Sequence, residues 1–231
     1  MAAKLKVTLE IGPKGKKVAA VAPDWAGLER GAKTGQAAIE RLVAYLPRYA
    51  PVAKLAGMEA EFAASTNVDV VEQYPGTGST DFWGISFAFS AFDRQDMSSD
   101  ELARELTLMR ACWAFFDEVR SRVSAEMQQG PRGGGRHRDL IVRHVVGNEQ
   151  YWEKKLGVVA PHNASLSDDE LNARREAYCT AIRALHARHK MARTWPLRYL
   201  IRHTAYHTLH HAWEMEDKDL TTKPHVVTRY G

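Results

Sequence analysis

Four histidines, His203, His207, His210 and His211, fall within nine residues, and a fifth, His144, stands in an earlier stretch among Ile141, Val142, Val145 and Val146. Neutral imidazole nitrogens suit Zn, Ni or Fe, and an i, i+4 pair such as His207 and His211 puts two of them on one face of a helix. Three protein ligands leave coordination positions open, where water or a thiol can be bound and made more acidic. Such a set fits catalysis better than scaffolding. An i, i+4 pair alone is also a common surface pair or a satisfied pair in a core. What gives it weight is a third inward histidine from another element.

The elements that must carry these residues read as helices. Ser98-Ser-Asp-Glu101 is a capping box ahead of Leu102, Leu106, Met109, Trp113, Phe116, Val123 and Met127, which predicts a long helix stopped by Gly130-Pro131. After the Gly133-Gly-Gly135 connection, Leu140, Ile141, Val145, Trp152 and Leu156 define a second helix, ending at Gly157. Ser167-Asp-Asp-Glu170 opens a third through Leu171, Tyr178, Ile182 and Leu185, and Pro196 starts a fourth along Leu197, Leu200, Ile201, Thr204, Thr208 and Met215. At ~100° per residue, with His207 at zero, His211 falls near ~40°, inside an apolar stripe running from about 20° to 80°. His203 and His210 fall at about −40° and −60°, on the flank. By the same count His144 borders the face of Ile141, Val145 and Trp152. Four amphipathic helices with modest connections predict an antiparallel bundle in which His144, His207 and His211 meet in one core. His203 with His207 is an alternative register for the pair.

Residues 1–97 have a different pattern. Alternation over 4–11, a Gly12-Pro13-Lys14-Gly15 turn and an apolar run over 17–22 predict a hairpin. Thr34 caps a helix to about Leu46, which Pro47 ends, and a short helix restarts from Pro51. Residues 68–72 and 83–89 read as two more strands around a turn at 74–80. The expected fold class is therefore α+β: a small N-terminal β-β-α-type sheet domain over 1–97, then a C-terminal antiparallel four-helix bundle over 98–231.

Composition sets the outer limits. The 231 residues carry 32 Lys+Arg against 28 Asp+Glu, a net charge of +4, which excludes a nucleic-acid binder driven by bulk charge. The excess is confined to residues 98–231, where 21 basic face 17 acidic side chains, against 11 and 11 before. Cys112 and Cys179 form neither a CxxC pair nor a disulfide framework, so both read as packing residues and a reduced, cytoplasmic home is expected. No run reaches the ~18 apolar residues of a membrane span, and the amino terminus lacks a signal-peptide pattern.

The stretch from Trp195-Pro-Leu-Arg to Tyr206-His207-Thr-Leu-His-His211 resembles the last helix of DinB/YfiT-like proteins, where an H-x-x-x-H pair sits in a fourth bundle helix. Residues 138–152, with His144, resemble their second helix, which supplies a single histidine. The likeness covers about residues 98–217. It implies His144, His207 and His211 as ligands of a divalent metal, Zn or Ni before Fe, and a small-molecule substrate. It also implies thiol S-transfer with a low-molecular-weight cosubstrate of mycothiol or bacillithiol type, or hydrolysis. Residues 4–46, with Pro23-Asp24-Trp25-Ala-Gly27, resemble the β-β-α start of HicB-like domains. No DNA-binding module of that family follows, so no nucleic-acid partner is expected, and an accessory module that packs on the bundle, covers its site or forms a homodimer is.

Other polar residues have plainer readings. Glu149 and Glu214 would orient a ligand imidazole or act as a base, but a solvated rim position is the expectation for both. Arg132, Arg136, His137 and Arg138 flank the triglycine and would either clamp an anion or simply solvate a loop. Trp113 and Trp152 are the tryptophans expected nearest a pocket. The rival to an enzyme is a non-catalytic binding or interaction protein whose histidine cluster is structural or vestigial.

Overall fold

Leu5, Val7 and Leu9, two residues apart, build the first strand, β1 (Lys4–Ile11), in the computed structural model, which describes residues 4–65, 67–130, 134–158 and 167–221. A turn with Gly15 at a φ of 61° returns the chain into β2 (Val18–Val21), and β3 (Glu29–Ala32) extends the antiparallel meander. β4 (Asn67–Pro75) pairs in parallel with β1, giving a mixed sheet of order β3-β2-β1-β4. A parallel neighbour requires a long connection. The chain between β1 and β4 holds, besides β2 and β3, the helices α1 (Gly35–Ala44), α2 (Leu46–Leu55) and α3 (Glu59–Ala64).

Thr34 caps α1 by accepting from Ala37 N–H, as expected. The break, however, falls at Tyr45, and Pro47 sits in the first turn of α2, where a missing N–H costs no helical hydrogen bond. Glu29-Arg-Gly-Ala has no apolar alternation, which is why β3 left no trace in the pattern.

The strand expected over 83–89 does not form. Gly78–Trp83 is a short helix, α4, closed by Gly84 at a φ of 71°, and the next N–H groups go to carboxylates rather than to a neighbouring strand. Ser86 N–H donates to Glu29, and those of Phe87 and Ala88 donate to Glu10. Both acids are buried, and Arg202 closes the cluster with bonds of 2.6 and 2.7 Å to Asp93 and one of 2.6 Å to Ser86 Oγ. Two acids on β1 and β3 thus anchor an irregular segment across the sheet, and its cover explains why Thr8 and Glu10 are buried as well as Val7 and Leu9.

The second half is helical. α5 (Ser99–Arg122) starts at the Ser98/Glu101 capping box, and α7 (Asp168–His186) at the Ser167/Glu170 box. Between them α6 (Arg138–Glu153) runs through a 3-10 turn to Gly157, which ends it at a φ of 78°. α8 (Leu197–Lys218) is the longest after α5. α5 stops short of Met127 because Asp219, just past α8, takes the N–H and hydroxyl of Ser124. Residues 131–133, part of the expected stop and triglycine, lie outside the described residues.

α8 is the central helix: 16 of its 22 residues are buried. A single apolar stripe does not describe it, since α5 packs along one side and α6 along another, while Thr204 meets α7 and Arg202 meets the segment after α4. Gly27, at a φ of 91°, passes so close that a Cβ there would sit 2.8 Å from Leu209 and 3.1 Å from the backbone of Ala205. Tyr178 on α7 meets Thr204 at 2.9 Å, and Arg175 joins α7 to Glu149 on α6 and Asp117 on α5. The buried apolar residues form one cluster running from Leu5 to Met215, continuous across residue 97. Among the described residues no helix is long and apolar enough to cross a membrane.

Candidate metal centre

Ile141 and Val145 turn into the core and fix the rotation of α6, which leaves His144, in its second turn, half-buried and facing α8. There its Nε2 lies 3.2 Å from Nε2 of His207. One ring nitrogen from each of His144, His207 and His211 lies within 4.8 Å of the others. Two imidazole nitrogens on one tetrahedral ion, each ~2.0–2.1 Å away, are about 3.3 Å apart. The spacing of the His144–His207 pair fits a shared ion.

Protonation fits as well. Burial, with His211 and His144 adding to it, pushes His207 down to about 2, and burial and His211 push His144 down to about 4. Both rings are neutral at pH 7 and hold lone pairs. His211 is buried, and its Nδ1 lies 2.6 Å from Glu214 Oε2. Burial raises the Glu214 carboxyl, but bonds from His211 and Lys218 outweigh it and hold it at about 2. An ionised carboxylate only accepts, so Nδ1 carries the hydrogen and Nε2 is left with the lone pair of His211. Asn148 donates to the His144 carbonyl at 2.9 Å, with its amide 3.5 Å from each nitrogen of that ring. His207 Nδ1 is buried without a partner among the described residues. Trp152 stands edge-on to His207, 5.2 Å between centroids, and walls the cluster.

His203 is not part of it. The ring stacks on Tyr199 at 5.2 Å and meets the edges of Trp152 and Trp195, and burial pushes it down to about 3, so it is a neutral core histidine. The geometry thus groups His207 with His211, not with His203. His210 is exposed.

Two acids depart from expectation. Glu149 is not at a rim: it is buried and holds Arg175 through two contacts of 3.2 Å. Glu214 is half-buried and bonded to a cluster histidine, a role signalled by its i+3 spacing from His211 and its i, i+4 relation to Lys218. Arg136 places positive charge near His144, Arg138 pairs with Asp139, and Arg132 lies outside the described residues. Trp113 packs on Tyr178 rather than at the cluster. Both cysteines are buried, and burial raises both thiols, as packing residues require.

Comparisons of the chain with protein-family models, curated proteins and solved structures find no match.

Proposed function

We propose that the protein is a metal-dependent enzyme of the DinB/YfiT type acting on a small molecule, with α5 to α8 as an antiparallel four-helix bundle and the N-terminal sheet as an accessory module. The observation that carries this reading is the convergence of three imidazoles from two helices, two of them held neutral and the third oriented by a carboxylate. His144, His207 and His211 would hold the ion, and an all-nitrogen donor set suits Zn or Ni. A divalent ion there would supply Lewis acidity toward water or a low-molecular-weight thiol, the chemistry of hydrolysis or of S-transfer.

The chain's own residues do the rest. Glu214 would keep the hydrogen of His211 on Nδ1, leaving Nε2 as its nitrogen for the ion. His144 and His207 are half-buried, and the charge of Arg136 near His144 would favour an approaching anion. Trp152 excludes water from behind His207.

A second reading has one observation in its favour. The 3.2 Å separation of the two Nε2 atoms is also the length of an N–H···N hydrogen bond between neutral rings, which suits a non-catalytic core cluster. Metal analysis of purified protein separates the two. The enzyme reading expects about one divalent ion per chain, lost in His144→Ala and His207→Ala; no metal, or metal retained in both variants, overturns it. Conjugation of thiols to an electrophilic dye then distinguishes S-transfer from hydrolysis.

A further inference from the structure

Along the flank of α8 that carries Tyr206, His210 and Trp213, a groove of about 380 Å³ opens toward β3 and α4. Its volume is that of a small-molecule site. Arg30 on β3 enters it from below, only 5% exposed, its guanidinium carbon 3.6 Å from the Tyr45 ring centre and 4.2 Å from that of Trp213. One amino nitrogen, Nη1, donates to the Glu29 carbonyl at 2.7 Å. Nε is buried with no partner, and Nη2 has no hydrogen bond among the described residues.

The charge of Arg30 is also uncompensated. Neither it nor Arg41, which shares the groove and bonds the Gly31 carbonyl at 3.0 Å, forms an ion pair with a described carboxylate. The two acids that line the groove are engaged elsewhere, Glu214 by His211 and Lys218, Asp217 by Arg48. Glu29, next in sequence, is directed to the Ser86 N–H and Arg202 and makes no ion pair with Arg30. A nearly buried cation without a counter-charge is costly, and an anion in the groove would offset that cost. Four aromatic rings line the groove as well, those of Tyr45, Tyr206, Trp213 and Trp83, the last 62% exposed and open to stacking.

We propose that this groove binds a small aromatic carboxylate, its acid group held by Arg30 and Arg41 and its ring lying along Trp83. The inference does not depend on the metal reading, because Arg30, Arg41 and Trp83, which would make the contacts, lie outside the histidine cluster.

The test titrates the full chain with 2-naphthoate in the presence of a chelator, reading heat by calorimetry and the indole N–H resonances by NMR. Saturable binding is expected, with shifts at Trp83 and Trp213. Arg41→Gln should weaken it by about tenfold, as should replacing the probe with uncharged 2-naphthamide. Trp83→Ala should weaken it by roughly threefold or more. Both side chains are exposed, and circular dichroism checks that the variants fold. No binding at millimolar 2-naphthoate, equal affinity for the amide, or wild-type affinity in both variants overturns the proposal.

Discussion

Glu214 accepts the Nδ1 hydrogen of His211 at 2.6 Å while Lys218 Nζ lies 2.5 Å from its other oxygen, so one carboxylate both sets the tautomer of a candidate ligand and is itself held in place. Carboxylates in this position typically contribute 10- to 100-fold to metal affinity. Glu214→Gln keeps the shape and removes the charge, and zinc affinity measured against a chromophoric chelator should fall by about that factor. Unchanged affinity would show that the contact serves helix packing alone.

Metal binding should also register as stability. An ion at about a hundred times its dissociation constant adds ~2.7 kcal/mol to the folded state of a protein with one site. Thermal scans of wild type with and without zinc should therefore separate, while those of His144→Ala and His207→Ala should overlay. A zinc-dependent rise that persists in both variants would place the ion elsewhere.

Glu29 gives the stability a pH dependence of defined sign. Burial raises its folded pKa to about 8 against the opposing pull of Arg202 and the Ser86 N–H, from an ordinary value of 4.5. Between these values the unfolded chain has released a proton that the folded chain retains, so the contribution of Glu29 to stability falls as pH rises across that window. Glu105, raised by burial to about 7 despite Arg198, adds to the fall from 4.5 upward. Below about pH 6.5 the depressed histidines His144, His203 and His207 act in the opposite direction. Urea midpoints should therefore drop from about pH 6.5 to pH 8, and Glu29→Gln, which still accepts from Ser86, should flatten that slope. An equally steep slope in the variant would mean that other groups govern it.

Gly31 lies where β3 meets the turn after α4. A Cβ there would fall 1.9 Å from the Gly84 carbonyl oxygen, a backbone atom that cannot simply rotate away. Gly31→Ala should cost on the order of 1–3 kcal/mol by overpacking, measured by chemical denaturation. It should also weaken 2-naphthoate binding, because Gly31 and Gly84 both line the groove.

The legible parts of this molecule were those with local causes. Capping boxes at Ser98 and Ser167, the stop at Gly157 and the start at Pro196 depend on a few adjacent residues, and all four stand where the pattern puts them. The angular count brings His144, His207 and His211 together, as they stand, but it puts His203 on the flank, and α8 is enclosed on that side too, so that His203 is buried. What escaped was set by distant partners. The apolar run over 83–89 has the composition of a strand, yet its N–H groups bond Glu10 and Glu29, more than fifty positions away in sequence. Glu149 carries no local sign that Arg175 will neutralise it. The polar residues Arg198, Arg202 and Thr204 hide how deeply α8 is enclosed, because ion pairs and hydrogen bonds to other elements make their burial tolerable.

Glu214 belongs to two places at once: it bonds His211 and it lines the groove that holds Arg30. Occupancy of one place should therefore be linked to occupancy of the other. A cation among the histidines and an anion beside Arg30 attract, so each should tighten the other, and by the same factor in either direction. Zinc affinity measured with and without saturating 2-naphthoate, set against 2-naphthoate affinity measured with and without zinc, must return one number.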